Sequence, residues 1–265
     1  MSRRLRYLRL LAVQLRTSAA LAMQYRVEFL VEGALALFWM TWSLVPIVVV
    51  FGRREGVAGW TFEEALVVVG WFTVVKGILE GAVNPSLTSV VEHIRKGTLD
   101  FVLLKPADAQ FLVSTARFKP WRAVDVFAGL AVFAYAFHRM GRVPSAGAVL
   151  GSVLLLVCAI LVLYSLWILV ISAAFYVVKI DNLSYLFLSI FDAARWPVSV
   201  FRGLLRFVFT FVIPLALMTT YPALALLDRL SLVNALEALV GALAFAVAAR
   251  FVWLRSIAKY TSASS

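Results

Sequence analysis

This amino-acid pattern is that of an all-α membrane protein with six transmembrane helices. Hydrophobic residues make up 63% of the 265 and charged residues 15%, against roughly a quarter charged in ordinary globular domains. At a mean hydropathy of +0.94, a soluble fold would have to bury more apolar surface than a chain of this size encloses. Gly33 to Phe51, Val143 to Val178 and Phe207 to Leu227 carry no charge, and each reaches the ~18–20 residues that cross a hydrocarbon core. The basic residues, finally, gather in alternate loops.

Residues 5–26 read as a helix ahead of the first span. Leu5, Leu8, Ala12, Leu15, Ala19 and Ala22 recur at three and four, with Arg3, Arg6, Gln14 and Thr17 roughly opposite. Segment 1–28 is expected as an amphipathic interfacial helix on an anionic inner leaflet; the plainer reading is a solvated basic tail that sets topology. Arg3, Arg4, Arg6, Arg9 and Arg16 interrupt what would be the apolar core of a cleavable signal.

The six spans are expected over 29–51, 60–82, 121–140, 148–178, 205–227 and 231–254. The second has Glu63 and Glu64 near one end and Lys76 and Glu80 near the other, and the third is charge-free only from Val126 to Phe137. The fourth is too long. A helix over 143–178 would measure about 54 Å against ~30 Å of hydrocarbon, so it must tilt, start late near Pro144 and Gly147, or project. The apolar stretch 182–200 is too short to span and reads as an interfacial helix ending near Pro197.

With a cytoplasmic N-terminus, the inner segments are 1–28, 83–120, 179–204 and 250–265. Together with Arg122 and Arg206 they hold 19 of the 25 Lys and Arg residues. The positive-inside bias then puts both termini in the cytoplasm, which an even number of spans satisfies. The net charge of +11 is thereby an orientation signal, and no nucleic-acid partner is expected.

One polar island breaks the hydrophobic pattern, at 92–108. Gly97 is expected to end a helix running from about Pro85 through Lys96, with Arg95 and Lys96 in the last turn, where cations favour the dipole. Thr98 and Leu99-Asp100 open a second short element, with Phe101, Leu103 and Leu104 on its apolar side, and Lys105-Pro106 stops it. From the residues alone this is either a rigid docking element or an ordinary solvated loop.

Ile94-Arg95-Lys96-Gly97-Thr98-Leu99-Asp100, followed by Leu103-Leu104-Lys105-Pro106, resembles the loop after the second span in ATP-binding-cassette (ABC) transporter permeases of the type-two exporter class. More narrowly, Gly97 to Phe111 is similar to a bacterial branch of six-span subunits of about this length. The resemblance implies that 1–265 is one transmembrane permease domain whose 83–120 loop docks on a cytoplasmic ATPase. Glu92, Arg95, Lys96, Gly97, Thr98, Leu99, Asp100, Leu104, Lys105 and Pro106 would then lie at or near the coupling contact. Segment 179–204, with Lys179, Asp181, Asn182 and Arg195, would form a second, weaker one.

The same resemblance implies a fifth span that breaks and re-enters from outside. Pro214, Tyr221 and Pro222 suit such a turn, giving a re-entrant helical hairpin near 214–230 between spans five and six; a kinked plain span with a tight outer hairpin stays open. It further implies a second permease subunit, identical or paralogous, membrane lipid as surroundings, and export across a bacterial cytoplasmic (inner) membrane of a hydrophobic or amphiphilic substrate. No cofactor is expected on this chain, which is not expected to be an enzyme. It has no G-x-x-x-x-G-K-[ST], so ATP and magnesium would belong to the partner ATPase. The alternative is a non-ATP-driven secondary carrier or membrane scaffold subunit.

Other candidates are weaker. Lys76 and Glu80 are four apart and can pair or snorkel; Glu28 and Glu32 read as partners of Arg26 or the basic loop. Glu237 is expected to brace the outer hairpin. Trp39, Trp42, Trp60 and Trp71 either line an apolar cavity or anchor at the interface. His93 and His138 fall near opposite faces, and Cys158 is the sole cysteine, so neither a shared histidine site nor a disulfide forms within the chain.

Overall fold

Prolines decide where the helices of this molecule loosen. The computed structural model describes residues 3–24, 26–54, 56–176 and 181–260, and no β-strand occurs among them. Helix α1 (Arg3–Gln24) precedes α2 (Arg26–Phe51). Helix α3 runs over Phe62–Arg95 and is followed by two short pieces, α4 (Asp100–Leu103) and α5 (Ala109–Ser114). Then come α6 (Pro120–Met140), α7 (Ala146–Phe175), α8 (Asp181–Phe191), α9 (Gly203–Val212), α10 (Ala216–Leu226) and α11 (Leu232–Ala258). Three stretches relax into π-turns: Leu79–Val83, Val208–Val212 and Ala216–Thr220. Each ends two residues before a proline, at Pro85, Pro214 and Pro222. Proline offers no N–H to the preceding turn, and the helix widens there.

At Pro85 the consequence is visible. The carbonyl of Gly81, four residues back, has no helical donor, and the Lys119 N–H takes it at 2.8 Å. The freed acceptor thus ties the start of α6 to the middle of α3. Glycines bring the two helices closer still. A Cβ on Gly129 would sit 2.8 Å from the Gly70 carbonyl oxygen, and one on Gly77 would sit 2.8 Å from the Asp125 Cβ. Small residues at such crossings let backbones approach.

Helices α2 (over Phe29–Phe51), α3, α6, α7 and α11 are long and apolar enough to cross a membrane, and the pair α9–α10, bent by 70°, makes a sixth if counted as one crossing. Helix α7 is central. Leu163, Trp167, Ile168 and Ile171 on it are fully buried, with Leu215, Met218 and Trp253 in the same core. It starts late, capped by Ser145, whose hydroxyl accepts the Ala148 N–H. Helix α3 overruns its expected span end at 82, so the helix expected from Pro85 is its continuation.

The segment after α7 departs from expectation. Placing 179–204 wholly beside the 83–120 loop fails, because 192–200 packs along α3 toward its opposite end. The Arg195 guanidinium lies over the Phe72 ring at 5.4 Å, and the Ala194 carbonyl accepts from Thr219 at 2.7 Å. The Trp60 indole N–H, just before α3, donates to Ser199 at 2.9 Å. Helix α8 ends at Phe191, short of Pro197, and buries one face: Phe187 and Phe191 pack against Trp167 and Phe72, while Tyr185 and Leu186 are exposed. Phe187 and Phe191 are apolar because they meet protein.

Candidate functional site

The far end of α3 carries the polar island. Gly97 adopts φ +66°, the left-handed conformation glycine takes freely. The Thr98 N–H bonds to the His93 carbonyl at 2.9 Å and the Gly97 N–H to that of Ile94 at 3.2 Å, which is a Schellman stop. His93 Nδ1 lies 2.8 Å from the Thr98 hydroxyl, locking the turn from the side. Leu99 then plunges into the core, fully buried with Leu87, Val90 and Val113. Leu99, expected at or near the coupling contact, thus presents no surface itself: it anchors the tip from below.

What the tip presents is apolar. Phe101 is 71% exposed and Leu104 81%, flanked by exposed Lys105 and Pro106 and by Glu92, Arg95 and Lys96. Glu92 and Lys96 form an exposed pair at 3.6 Å. Two exposed large apolar side chains on a rigid, charged-rimmed turn are suited to a protein partner.

Below the tip lies a polar clamp that the sequence reading missed. Asp108 caps α5 by accepting the Phe111 N–H at 3.0 Å, and its own N–H donates to the Tyr7 hydroxyl of α1 at 3.0 Å. Arg250 of α11 reaches Asp108 at 2.7 Å and Gln110 at 2.7 Å. Gln110 donates to the Tyr164 hydroxyl of α7 at 3.0 Å, and Ser114 meets that hydroxyl at 2.7 Å. Burial alone would push the Asp108 carboxyl up, but the Arg250 hydrogen bond, the N–H groups of Phe111 and Gln110 and the Arg250 charge hold it below the usual carboxylate range. Tyr260, just past α11, is raised first by burial and then by the nearby Asp100 charge. The loop is thus fastened to α1, α7 and α11 together. Asp108 before an apolar run is a recognisable helix cap, but nothing in one sequence pairs it with Arg250.

The remaining expected residues scatter. Lys179 lies outside the described residues; Asp181 and Asn182 open α8, and Arg195 sits along α3, paired with Asp192 at 3.2 Å. Pro214 stands at the 70° bend, whereas Tyr221 and Pro222 lie along the returning arm α10. The Tyr221 hydroxyl donates to Glu237 of α11 at 3.0 Å. Trp39 and Trp42 are largely exposed on α2 while Trp60 and Trp71 are buried, so the four tryptophans share no cavity. Among the described residues, no three His, Cys, Asp or Glu side chains converge as a metal site would need.

A family model described as ABC-2 family transporter protein matches residues 37–264. The chain belongs to the ABC-2 transporter family. No curated protein and no solved structure gives a significant match. The family match begins inside α2 and takes in the tip, the Asp108–Arg250 pair and every later helix, but not Tyr7 of α1. With its long apolar helices, this ABC-2 chain is a multi-pass membrane protein of transporter type.

Proposed function

We propose that this ABC-2 chain is the permease subunit of an exporter that pairs with a second permease subunit and recruits separate cytoplasmic ATPase subunits through residues 92–106. ATP and magnesium act in those partners, and the cargo is hydrophobic or amphiphilic. The observation that supports this most directly is the exposure of Phe101 and Leu104 on a tip fixed by Gly97, Leu99 and the Asp108–Arg250 clamp. A solvated linker has no need of such apolar display or such anchoring. A cleft on an ATPase would take the two side chains as its apolar anchors, with the flanking charges of Glu92, Arg95 and Lys96 at the rim.

In this reading the tip end of the bundle faces the cytoplasm of a bacterial inner membrane, as do both termini. The fifth crossing is made by 181–200, not by 205–227. The α9–α10 pair dips in from the outer side with Pro214 at its deepest point and returns toward Arg229, which pairs with Glu64 near the start of α3 at 2.8 Å. The crossing is broken yet tolerable, because its irregular stretch packs along α3, with Ala194 and Pro197 buried. Helix α1 lies on the inner leaflet: Leu5, Leu8 and Leu15 are exposed, while Tyr7 and Ser18 bind the loop at 107–118.

The test is co-purification with the cognate ATPase. The double variant Phe101→Asp/Leu104→Asp should lose the ATPase while keeping its elution profile in detergent. Retention of the ATPase at the wild-type ratio would remove the tip from the mechanism. Export that survives ATP depletion and collapses with the proton gradient would instead favour a secondary carrier.

A further inference from the structure

Five ionisable side chains from three helices meet at one cavity of about 320 Å³ between α2, α3 and α6: Glu32, Lys76, Glu80, Arg122 and Asp125. The close approach at Gly77 and Gly81 brings this about, since each faces the Arg122–Asp125 turn of α6. Their mutual pairing is incomplete. Arg122 holds Asp125 at 3.2 Å, and Glu80 accepts from Asn84 at 3.2 Å. Lys76 does not reach Glu80, four residues on; its ammonium rests over the Phe72 ring at 5.7 Å and has no ion pair among the described residues. The Arg122 Nε is buried without a partner. Ionisable groups within a bilayer are kept where they serve a site.

Depth and opening define the ligand. Counted from Phe62 at 1.5 Å per residue, Lys76 and Glu80 lie about 21 and 27 Å along α3. In a ~30 Å core that is the level where acyl chains give way to headgroups on the tip side. The rim toward α2 is formed by Leu35 and Trp39, 50% and 59% exposed, so the cavity opens sideways to lipid. Cationic donors and carboxylate acceptors stand together behind an apolar gate.

We propose that this cavity binds the headgroup of a zwitterionic amphiphile carrying a phosphate ester and a primary ammonium. The phosphate meets Lys76 and Arg122, the ammonium meets Glu32 and Glu80, and the acyl chains leave past Leu35 and Trp39. This goes beyond ATPase coupling and rests only on the lipid-embedded placement of α2 and α3.

The experiment is native mass spectrometry of the purified full-length chain after exposure to vesicles of phosphatidylethanolamine, phosphatidylglycerol, or both. Wild type should retain phosphatidylethanolamine about tenfold over phosphatidylglycerol. Glu80→Gln, nearly isosteric, should erase that preference; Lys76→Met should lower retention of both lipids, and Lys76→Arg should restore it. Equal retention of the two lipids by wild type overturns the proposal, as does an unchanged profile in Glu80→Gln. Displacement of bound lipid by millimolar soluble phosphoethanolamine would overturn the lipid as source, because the headgroup alone would then suffice. No ATPase enters the measurement, so its failure leaves the coupling proposal standing, and loss of the pull-down result leaves this one standing.

Discussion

Leu99 and Phe101 stand two positions apart and do opposite jobs. Leu99 is fully buried, so Leu99→Ala should cost about 2–5 kcal/mol, in line with large-to-small changes in packed cores, and should lower the melting temperature measured in detergent. Phe101→Ala touches almost nothing within the chain and should leave that temperature unchanged while weakening ATPase capture. A melting temperature equally depressed in both variants would refute this division. The motif showed where the tip lies, because Gly97 and the run of charges are local signals. Which of its apolar residues faces inward depends on the helices packed below, which a linear string does not contain.

The clamp gives a pH signature at the same scale. The Asp108 pKa is depressed in the folded protein, so its contribution to stability is complete above the unfolded value of about 3.9 and is lost as pH falls through the folded pKa. Wild type should therefore outlast Asp108→Asn in thermal unfolding from pH 8 down to about 5, and the gap should close only in stronger acid. A gap that closes between pH 7 and 6 would point to a different titrating group.

At the scale of elements, the α3–α6 crossing should be the least forgiving contact in the bundle. Gly129→Val has nowhere to place its methyls without moving the Gly70 carbonyl, and overpacking of this kind costs about 1–3 kcal/mol. The same substitution at Gly33, where a Cβ meets nothing within 4 Å, should be silent in thermal unfolding. Pro85→Ala tests the π-turn. It returns an N–H to the helix, competes for the Gly81 carbonyl and should speed hydrogen exchange at Lys119; an unaltered rate there would mean that the loop alone holds that bond. The sequence revealed α3 as a span but hid its length, since beyond residue 82 the helix becomes polar and hydropathy no longer follows it.

At the scale of the whole molecule, the five long apolar helices were readable because each of their faces meets either lipid or the apolar core, and both demand apolar side chains. The segment 181–200 was not, for the converse reason. Pro197 is buried there, Asp192 and Arg195 pair with each other at 3.2 Å, and Thr219 serves the Ala194 carbonyl, so no uniform apolar run marks the segment. Its course predicts opposite sidedness for two positions that the basic-residue count put together. In a Cys158→Ser background, an impermeant thiol reagent should label Ser199→Cys from outside intact cells and Lys105→Cys only after permeabilisation. Labelling of both from the same side would sink the arrangement.

Helix α3 is one rod of 34 residues, about 51 Å long, pinned near its middle where Gly70 and Gly77 press on α6. A rod held there behaves as a seesaw, with arms of about 27 Å from Gly77 to Arg95 and about 22 Å back to Phe62. Each ångström of inward swing at the tip end then appears as roughly 0.8 Å of outward swing beside Trp60, where the chain meets Ser199. Spin labels at the two extremities should shift in opposite senses relative to α7 when nucleotide is added; shifts in the same sense would mean the rod slides instead of pivoting.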